Sequence, residues 1–147
     1  MTIDPSRSAA AGGDRVGSGL GRVLGRLRRV GPAEQMRILT IGGRAIRVAV
    51  REGTPGQPPL LLCNGVGASL ELLQPFVDAL DPRRGIIRFD MPGIGGSPAP
   101  VLPYHLGTSA PLLAGLLDQL GYRQADVLGI SWGGGLAQQF EIGRAHV

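Results

Sequence analysis

A serine flanked by glycines stands near the end of this sequence, in the segment Gly129-Ile130-Ser131-Trp132-Gly133. The pattern Gly-x-Ser-x-Gly is typical of a sharp turn from a strand into a helix, which leaves the serine hydroxyl exposed in a strained conformation. Side chains two residues on either side of the serine would collide, which explains the two flanking glycines. A helix that begins behind the serine also favours developing negative charge. We therefore predict that Ser131 is a nucleophile; the alternative is a glycine-rich turn with an idle serine.

Acyl transfer at a serine also requires hydrogen-bond donors for the oxyanion that forms at the attacked carbonyl. One expected donor is the backbone N–H of Trp132, and the second normally comes from the loop after the third strand. Here that loop spans residues 64–68, and Gly65 and Gly67 let its backbone approach a substrate closely. We predict the backbone N–H of Val66 as the second donor. The alternative is a plain Asn-Gly turn, which a helical pattern immediately afterwards disfavours.

A third glycine-rich loop, residues 90–97, follows another strand-like segment. It matches neither the dinucleotide fingerprint nor the P-loop, so we expect no nucleotide site there. We also predict no cofactor and no metal site for this chain. We interpret Asp90 as the structural anchor of this loop and Ser97 as a cap or turn residue. Cys63, at the end of an apolar run, is interpreted as a small buried residue.

Strands that could position these loops follow one another along the chain. The predicted strands are residues 36–41, 44–50, 60–63, 86–90 and the run that ends at Gly129. The first two form a β-hairpin, because alternating runs flank the two-residue turn Gly42-Gly43. The later strands alternate with helical patterns. This order predicts an α/β fold with a largely parallel sheet.

Two helices are predicted between the strands. The first has Pro75 in its first turn, and its core face comprises Leu73, Phe76, Val77 and Leu80. The second has Ser109 as its N-cap and stops at Gly121, and its core face comprises Leu113, Leu116, Leu117 and Leu120.

Composition limits the class of protein. The 147 residues are 43% hydrophobic, which fits one globular domain, and no apolar run approaches the roughly 18 residues of a membrane span. The single cysteine excludes an internal disulfide and fits a reducing cytosol. The net charge of +4 arises within residues 1–30, and the rest of the chain is neutral. We therefore expect no nucleic-acid partner.

The composition also divides the chain. Residues 1–33, rich in Gly, Ser, Ala and Arg, are interpreted as a disordered leader; the alternative is a basic amphipathic segment that contacts an anionic surface. Residues 34–140 are predicted to be the N-terminal half of a catalytic domain. Residues 141–147 form an anomalous tail.

Three segments together resemble the α/β-hydrolase superfamily, and more narrowly its intracellular medium-chain poly(3-hydroxyalkanoate) depolymerases. They are NGVGAS at residues 64–69, DMPGIGGS at 90–97 and GISWGGGLAQQF at 129–140. Those enzymes similarly carry Asn-Gly where most relatives have His-Gly, and a Ser-Trp-Gly-Gly turn followed by Leu-Ala-Gln-Gln-Phe. The resemblance covers residues 37–140.

The resemblance implies a cytoplasmic serine hydrolase, either free or bound to storage granules. It would cleave a polyester to 3-hydroxy acids or oligomers through an acyl-enzyme. It implies Ser131 as nucleophile, with Val66 and Trp132 supplying the oxyanion hole. Two alternatives stay open. One is a superfamily member that acts on small esters, lactones or thioesters, and the other is a non-catalytic binding protein on the same fold.

The serine needs a base and an acid, which follow it in this superfamily in the order Asp or Glu, then His. Only sixteen residues follow Ser131, among them Glu141 and His146, and both are expected on or beyond the helix that leads away from the serine. His105 precedes the serine and is interpreted as a loop or cleft residue. We expect this chain to lack the acid and base, to end after that helix, and to be inactive and poorly soluble alone. Residues 141–147 depart from the family pattern, so we hypothesise a translated sequencing adapter, which resequencing from codon 130 tests.

Overall fold

The computed structural model describes residues 33–101 and 103–144. Within them a five-stranded sheet has the order β1-β2-β4-β3-β5. Its strands are β1 (Gln35–Ile41), β2 (Arg44–Arg51), β3 (Leu60–Cys63), β4 (Ile86–Phe89) and β5 (Asp126–Gly129). These bounds confirm the predicted strands to within one residue wherever the prediction gave limits. The predicted leader, apart from its last residue, and His146 lie outside the described residues.

The sheet is mixed. β1 and β2 form the predicted antiparallel hairpin, and β2 is also antiparallel to β4. The hairpin turn contains Gly42 at φ 55 and Gly43 at φ 75, two positive angles that a tight two-residue turn requires. β3 pairs in parallel with β4 on one side and β5 on the other. The α/β fold is therefore confirmed, with the parallel strands carrying the loops of interest.

Helices cover both faces of this sheet. A 3-10 turn (Leu70–Leu73) leads into α1 (Gln74–Ala79), and two longer helices follow, α2 (Leu106–Leu120) and α3 (Trp132–Arg144). α2 and α3 share one apolar cluster with the sheet, and the 3-10 turn and α1 share a second. None of the described helices is long and apolar enough to cross a membrane.

The first helix differs from its prediction at one core position. Phe76 is 38% exposed, whereas Leu73 and Val77 are buried as predicted and Leu80 packs beside them. Because a 3-10 turn precedes the six-residue α1, the buried stripe runs through Leu70, Leu73 and Val77, and Phe76 falls outside it. Pro75 lies in the first turn of α1, as predicted.

The prediction that Ser109 caps the second helix is wrong. The N-cap of α2 is His105, and Ser109 lies inside the helix, where its hydroxyl donates to the His105 carbonyl oxygen at 2.8 Å. The backbone N–H of His105 donates to Thr108 Oγ1 at 3.1 Å, which supports the earlier start. Leu106 then packs against the core cluster shared by α2 and α3. The predicted stop at Gly121, φ 79, is confirmed.

Candidate active site

Ser131 lies in the sharp turn between β5 and α3. Its φ of 56 is positive, and every other positive φ among the described residues belongs to a glycine. Such a backbone conformation costs roughly 1–2 kcal/mol for a residue with a side chain, so the surrounding fold must hold it in place. The residue is exposed. The turn therefore presents a serine hydroxyl to solvent at the end of a strand and the start of a helix.

Two glycines make this turn sterically feasible. A Cβ added at Gly129 would overlap the backbone of Gly133. A Cβ added at Gly133 would overlap the carbonyl oxygens of Cys63 and Asn64. The turn is thus packed against its own backbone on one side and against the end of β3 on the other. Only glycine leaves room at these two positions.

The loop of residues 64–69 lies directly beside the serine. It follows β3, which pairs in parallel with β5, so the two carboxyl ends meet at one edge of the sheet. The Ile130 N–H donates to the Cys63 carbonyl oxygen at 3.0 Å, which extends that pairing into the turn. A Cβ added at Gly65 would lie 3.5 Å from the Ser131 Cβ. The loop backbone at Gly65 therefore lies close to the serine, and a Cβ there would make an ordinary van der Waals contact.

Two backbone N–H groups near the serine donate to no acceptor among the described residues. Trp132 is the first residue of α3, so its N–H has no partner within the helix. No hydrogen bond from the Val66 N–H is formed in this part of the chain, and Val66 is 79% exposed. Gly67, at φ 74, turns the loop back after Val66. Both N–H groups are therefore without an intramolecular acceptor in this part of the chain.

An apolar pocket of about 220 Å³ adjoins the serine. It is lined by Gly65, Val66, Gly67, Met91, Ile94, Tyr104 and Trp132. The Tyr104 and Trp132 rings meet edge to face, with centroids 6.2 Å apart and planes at 74°. Burial raises the pKa of the Tyr104 hydroxyl above its ordinary value, so it stays neutral at physiological pH. The sequence did not indicate that Met91, Ile94 and Tyr104 line a pocket, because the lining comes from segments far apart in the sequence.

Asp90 anchors the loop that contributes Met91 and Ile94 to this pocket. Its fully buried carboxylate accepts from Arg47 Nε at 2.6 Å and from the Gly96 N–H at 2.8 Å. The Ser97 hydroxyl donates to the Asp90 carbonyl oxygen at 2.8 Å. The interpretation of Asp90 as the anchor of its own loop is confirmed. The same carboxylate also accepts from the Leu70 N–H at 2.7 Å, a contact that the sequence did not indicate.

No described side chain hydrogen-bonds the Ser131 hydroxyl. His105 is exposed at the start of α2 and serves as its N-cap. Glu141 lies on α3, as the sequence predicts, and is exposed; α3 continues through it to Arg144. Among residues 33–101 and 103–144, no group of three or more His, Cys, Asp and Glu side chains could hold a metal ion. Among the described residues, the site thus has an exposed serine with no base in contact.

Comparisons with known proteins agree with this arrangement. The sequence pattern of the alpha/beta hydrolase fold family matches residues 58–140, more than half of the chain. A poly(3-hydroxyalkanoate) depolymerase of Ectopseudomonas oleovorans is 52% identical over 104 residues, which cover 71% of this chain and 37% of the relative. A 3-oxoadipate enol-lactonase of Acinetobacter baylyi is 34% identical over 98 residues, covering 65% of this chain and 37% of the relative.

Solved structures show the same similarity. A hydrolase from Pseudomonas aeruginosa superposes with a TM-score of 0.64 at 30% identity, covering 71% of this chain and 39% of that structure. The matches to these relatives therefore span little more than a third of the relatives' own length. The matched segment includes the loop after β3, the loop after β4 and the serine turn. The chain belongs to the α/β-hydrolase fold family.

Proposed function

We propose that this chain carries the nucleophile and the oxyanion hole of a serine ester hydrolase. The position of Ser131 is the observation that supports this most. The residue is exposed at φ 56 between a strand and a helix, and the backbone of a second loop lies beside it at Gly65. A serine in an unfavourable backbone conformation at an open strand end suits a group that must reach a substrate.

The proposed reaction proceeds through an acyl-enzyme. Ser131 Oγ attacks the ester carbonyl carbon as a general base takes its proton, and a tetrahedral oxyanion forms. The N–H groups of Val66 and Trp132 bind that oxygen, and each donor contributes roughly 3 kcal/mol in the transition state. The ester C–O bond then breaks and the alcohol leaves with the proton. Water attacks the acyl-enzyme, releases the acid and restores Ser131.

The general base and its acid are not assigned to described residues. In this fold they follow the serine along the chain, first Asp or Glu and then His. Because the matches span little more than a third of the relatives' length, we propose that the corresponding residues belong to the remaining part of such a domain. The tests below therefore use the full-length gene product, defined as the translation of the resequenced open reading frame.

We propose a polyester as the substrate, specifically a poly(3-hydroxyalkanoate) in the cytoplasm. The 52% identical depolymerase supports this assignment. An apolar pocket lined by Met91, Ile94 and Tyr104 beside the serine suits an aliphatic side chain. A small ester or lactone is the second candidate, supported by the 34% identical enol-lactonase.

The test compares hydrolysis of poly(3-hydroxyalkanoate) granules, p-nitrophenyl acetate and a small enol-lactone by the full-length gene product. Ser131→Ala is expected to lower kcat on the preferred substrate by about 10⁴-fold or more, because it removes the nucleophile. Ser109→Ala is the control, since the Ser109 hydroxyl bonds the His105 carbonyl oxygen inside α2. The control should retain activity.

The results distinguish a polyester hydrolase, a hydrolase of small esters and a non-catalytic binding protein. Granule hydrolysis that Ser131→Ala abolishes supports the polyester proposal. Turnover confined to the acetate and the lactone supports the small-ester alternative. Undiminished activity of Ser131→Ala would overturn the nucleophile, and a folded protein with no turnover on any substrate would favour a binding function.

A further inference from the structure

Leu70 is held at both of its backbone polar groups by charged side chains. Its N–H donates to Asp90 Oδ1 at 2.7 Å, and its carbonyl oxygen accepts from Arg88 Nη1 at 2.8 Å. Both contacts are buried. Arg88 and Asp90 are two residues apart at the end of β4, so their side chains leave the same face of the sheet. Together the two side chains hydrogen-bond both backbone polar groups of Leu70.

The Asp90 carboxylate is itself held in place by other hydrogen bonds. Besides Leu70, the carboxylate accepts from Arg47 Nε and the Gly96 N–H, so three donors converge on its two oxygens. Arg47 also pairs with Glu71, the residue after Leu70, at 2.8 Å. A buried carboxylate with this many donors has little freedom to rotate.

Arg88 is held in place in the same manner. Its guanidinium pairs with Glu34, which precedes β1, and donates to Gln74 Oε1 at 2.7 Å. The Arg88 side chain is 2% exposed. The charge is thus compensated inside the fold, and the guanidinium is held by three acceptors: Glu34, Gln74 and the Leu70 carbonyl oxygen.

Leu70 directly follows the loop that lies beside Ser131. Within that loop Asn64 Nδ2 donates to the Ser69 carbonyl oxygen at 2.8 Å, and the Ala68 N–H donates to the Gly65 carbonyl oxygen at 3.3 Å. The loop is therefore tied across its base and continuous with the clamped residue. A shift of Leu70 would move the loop as a unit.

We propose that Arg88 and Asp90 are positioning residues that clamp Leu70 and thereby place the Val66 N–H at the oxyanion site. This inference rests on the proposed function. The clamp acts through geometry: it touches neither substrate nor the reacting atoms. A displaced donor weakens binding of the transition state while leaving ground-state binding of a small ester nearly unchanged.

The test is steady-state kinetics of Asp90→Asn on p-nitrophenyl acetate, with the full-length gene product. Asparagine keeps the size of the side chain, but its NH₂ group cannot accept from the donors that converge on Asp90. We expect kcat to fall at least about tenfold with KM within about twofold, because a displacement near 1 Å suffices for such losses. The acetate is chosen because its short acyl group does not depend on filling the apolar pocket.

A milder variant covers the case in which Asp90→Asn does not fold. Arg47→Met removes one of the three donors from a partly exposed side chain and leaves the two backbone donors in place. It is expected to show a smaller fall in kcat, again with KM nearly unchanged. Leu117→Ala, a buried α2 residue in the core, is the stability control: it should lower Tm without changing kcat below its unfolding temperature.

The outcomes separate the clamp from the proposed function. Variants of Asp90 and Arg47 that lower Tm as Leu117→Ala does, with unchanged kcat, would overturn the clamp while Ser131→Ala still abolishes turnover. Turnover that survives Ser131→Ala would instead overturn the proposed function. A fall in kcat that Leu117→Ala does not share supports the clamp.

Discussion

At the scale of single residues, the turn at Ser131 depends on what is missing from its neighbours. Gly129 and Gly133 lack the Cβ atoms that would otherwise overlap backbone in the turn and at the end of β3. Gly134, next in the helix, is different, since a Cβ there would meet the Gly129 carbonyl oxygen at an ordinary 3.5 Å. Of the adjacent residues Gly133 and Gly134, only Gly133 is therefore required to be glycine by the space around it.

Alanine substitutions should affect stability differently at Gly133 and at Gly134. Gly133→Ala is expected to lower the free energy of unfolding by about 2 kcal/mol or more, because the new methyl group overlaps the Cys63 and Asn64 carbonyl oxygens. Gly134→Ala is the matched control and should be neutral or stabilising by up to about 1 kcal/mol, as alanine favours a helix. Urea unfolding of both variants measures this. Equal effects would contradict the steric explanation.

Cys63 is a second residue whose behaviour follows from its surroundings. It is fully buried, as the sequence indicates, and burial raises the pKa of its thiol to about 12. Near pH 8 the native thiol should therefore not react with a thiol-directed reagent, and reaction should begin only as urea unfolds the chain. Since the chain has one cysteine, the signal is unambiguous. Fast labelling of the native protein would contradict the burial.

The raised pKa of Cys63 also makes the stability of the protein fall at high pH. From the ordinary value of 9.0 up to about 12, the unfolded chain loses the thiol proton while the folded chain keeps it. The contribution of Cys63 is therefore intact below pH 9 and is lost as the pH rises through that window. The difference in unfolding free energy between the wild type and Cys63→Ala should shrink over it. A constant difference would contradict the raised pKa.

At the scale of elements, the hairpin is determined locally. Its turn requires positive φ at Gly42 and Gly43, and neither position has an atom within 4 Å of an added Cβ. Backbone conformation, with no contribution from packing, therefore decides which residues are tolerated there. The start of α2 is the opposite case, because it depends on Thr108 bonding back to His105 and on Leu106 reaching the core.

The hairpin turn provides a test at this scale. Gly42→Asn should leave the free energy of unfolding nearly unchanged, because asparagine tolerates the left-handed conformation that the turn requires. Gly42→Val should lower it by roughly 1–2 kcal/mol, because a β-branched side chain does not. Thermal or urea unfolding distinguishes the two variants. Similar stabilities would show that the turn changes conformation freely.

At the scale of the whole molecule, Arg88 joins distant segments of the chain. From β4 it pairs with Glu34 before β1 and bonds Leu70 and Gln74 around the 3-10 turn. A buried guanidinium adds little net stability compared with an apolar residue, but removing it leaves its partners uncompensated. Its energetic effect is therefore visible when one partner is deleted.

Double-mutant analysis can measure that connection. Arg88→Met is expected to lower the free energy of unfolding by about 3–5 kcal/mol, because the Glu34 carboxylate and the Leu70 carbonyl oxygen lose their donor. Combining it with Glu34→Gln should cost less than the sum of the single changes, by about 1 kcal/mol or more. Arg83→Met removes an exposed pair with Asp81 and should change stability very little. Additive effects at positions 34 and 88 would contradict the buried pairing.

Short-range patterns made part of this protein predictable. The Gly42-Gly43 turn, the apolar strand runs and the stop at Gly121 were correct, because each depends on φ/ψ preferences or on side-chain alternation over a few residues. The turn around Ser131 was correctly predicted for the same reason. Its catalytic role stays a prediction.

Other features required partners far apart in the sequence. The grouping of Met91 and Tyr104 in one pocket and the contacts of Arg88 and Asp90 with Leu70 depend on which segments the sheet brings together. A residue's own type and its neighbours contain no information about those distances. The sequence by itself therefore determined the local conformations. The tertiary structure decided which side chains meet, because side chains become buried and form these hydrogen bonds only when different helices, strands and loops pack together.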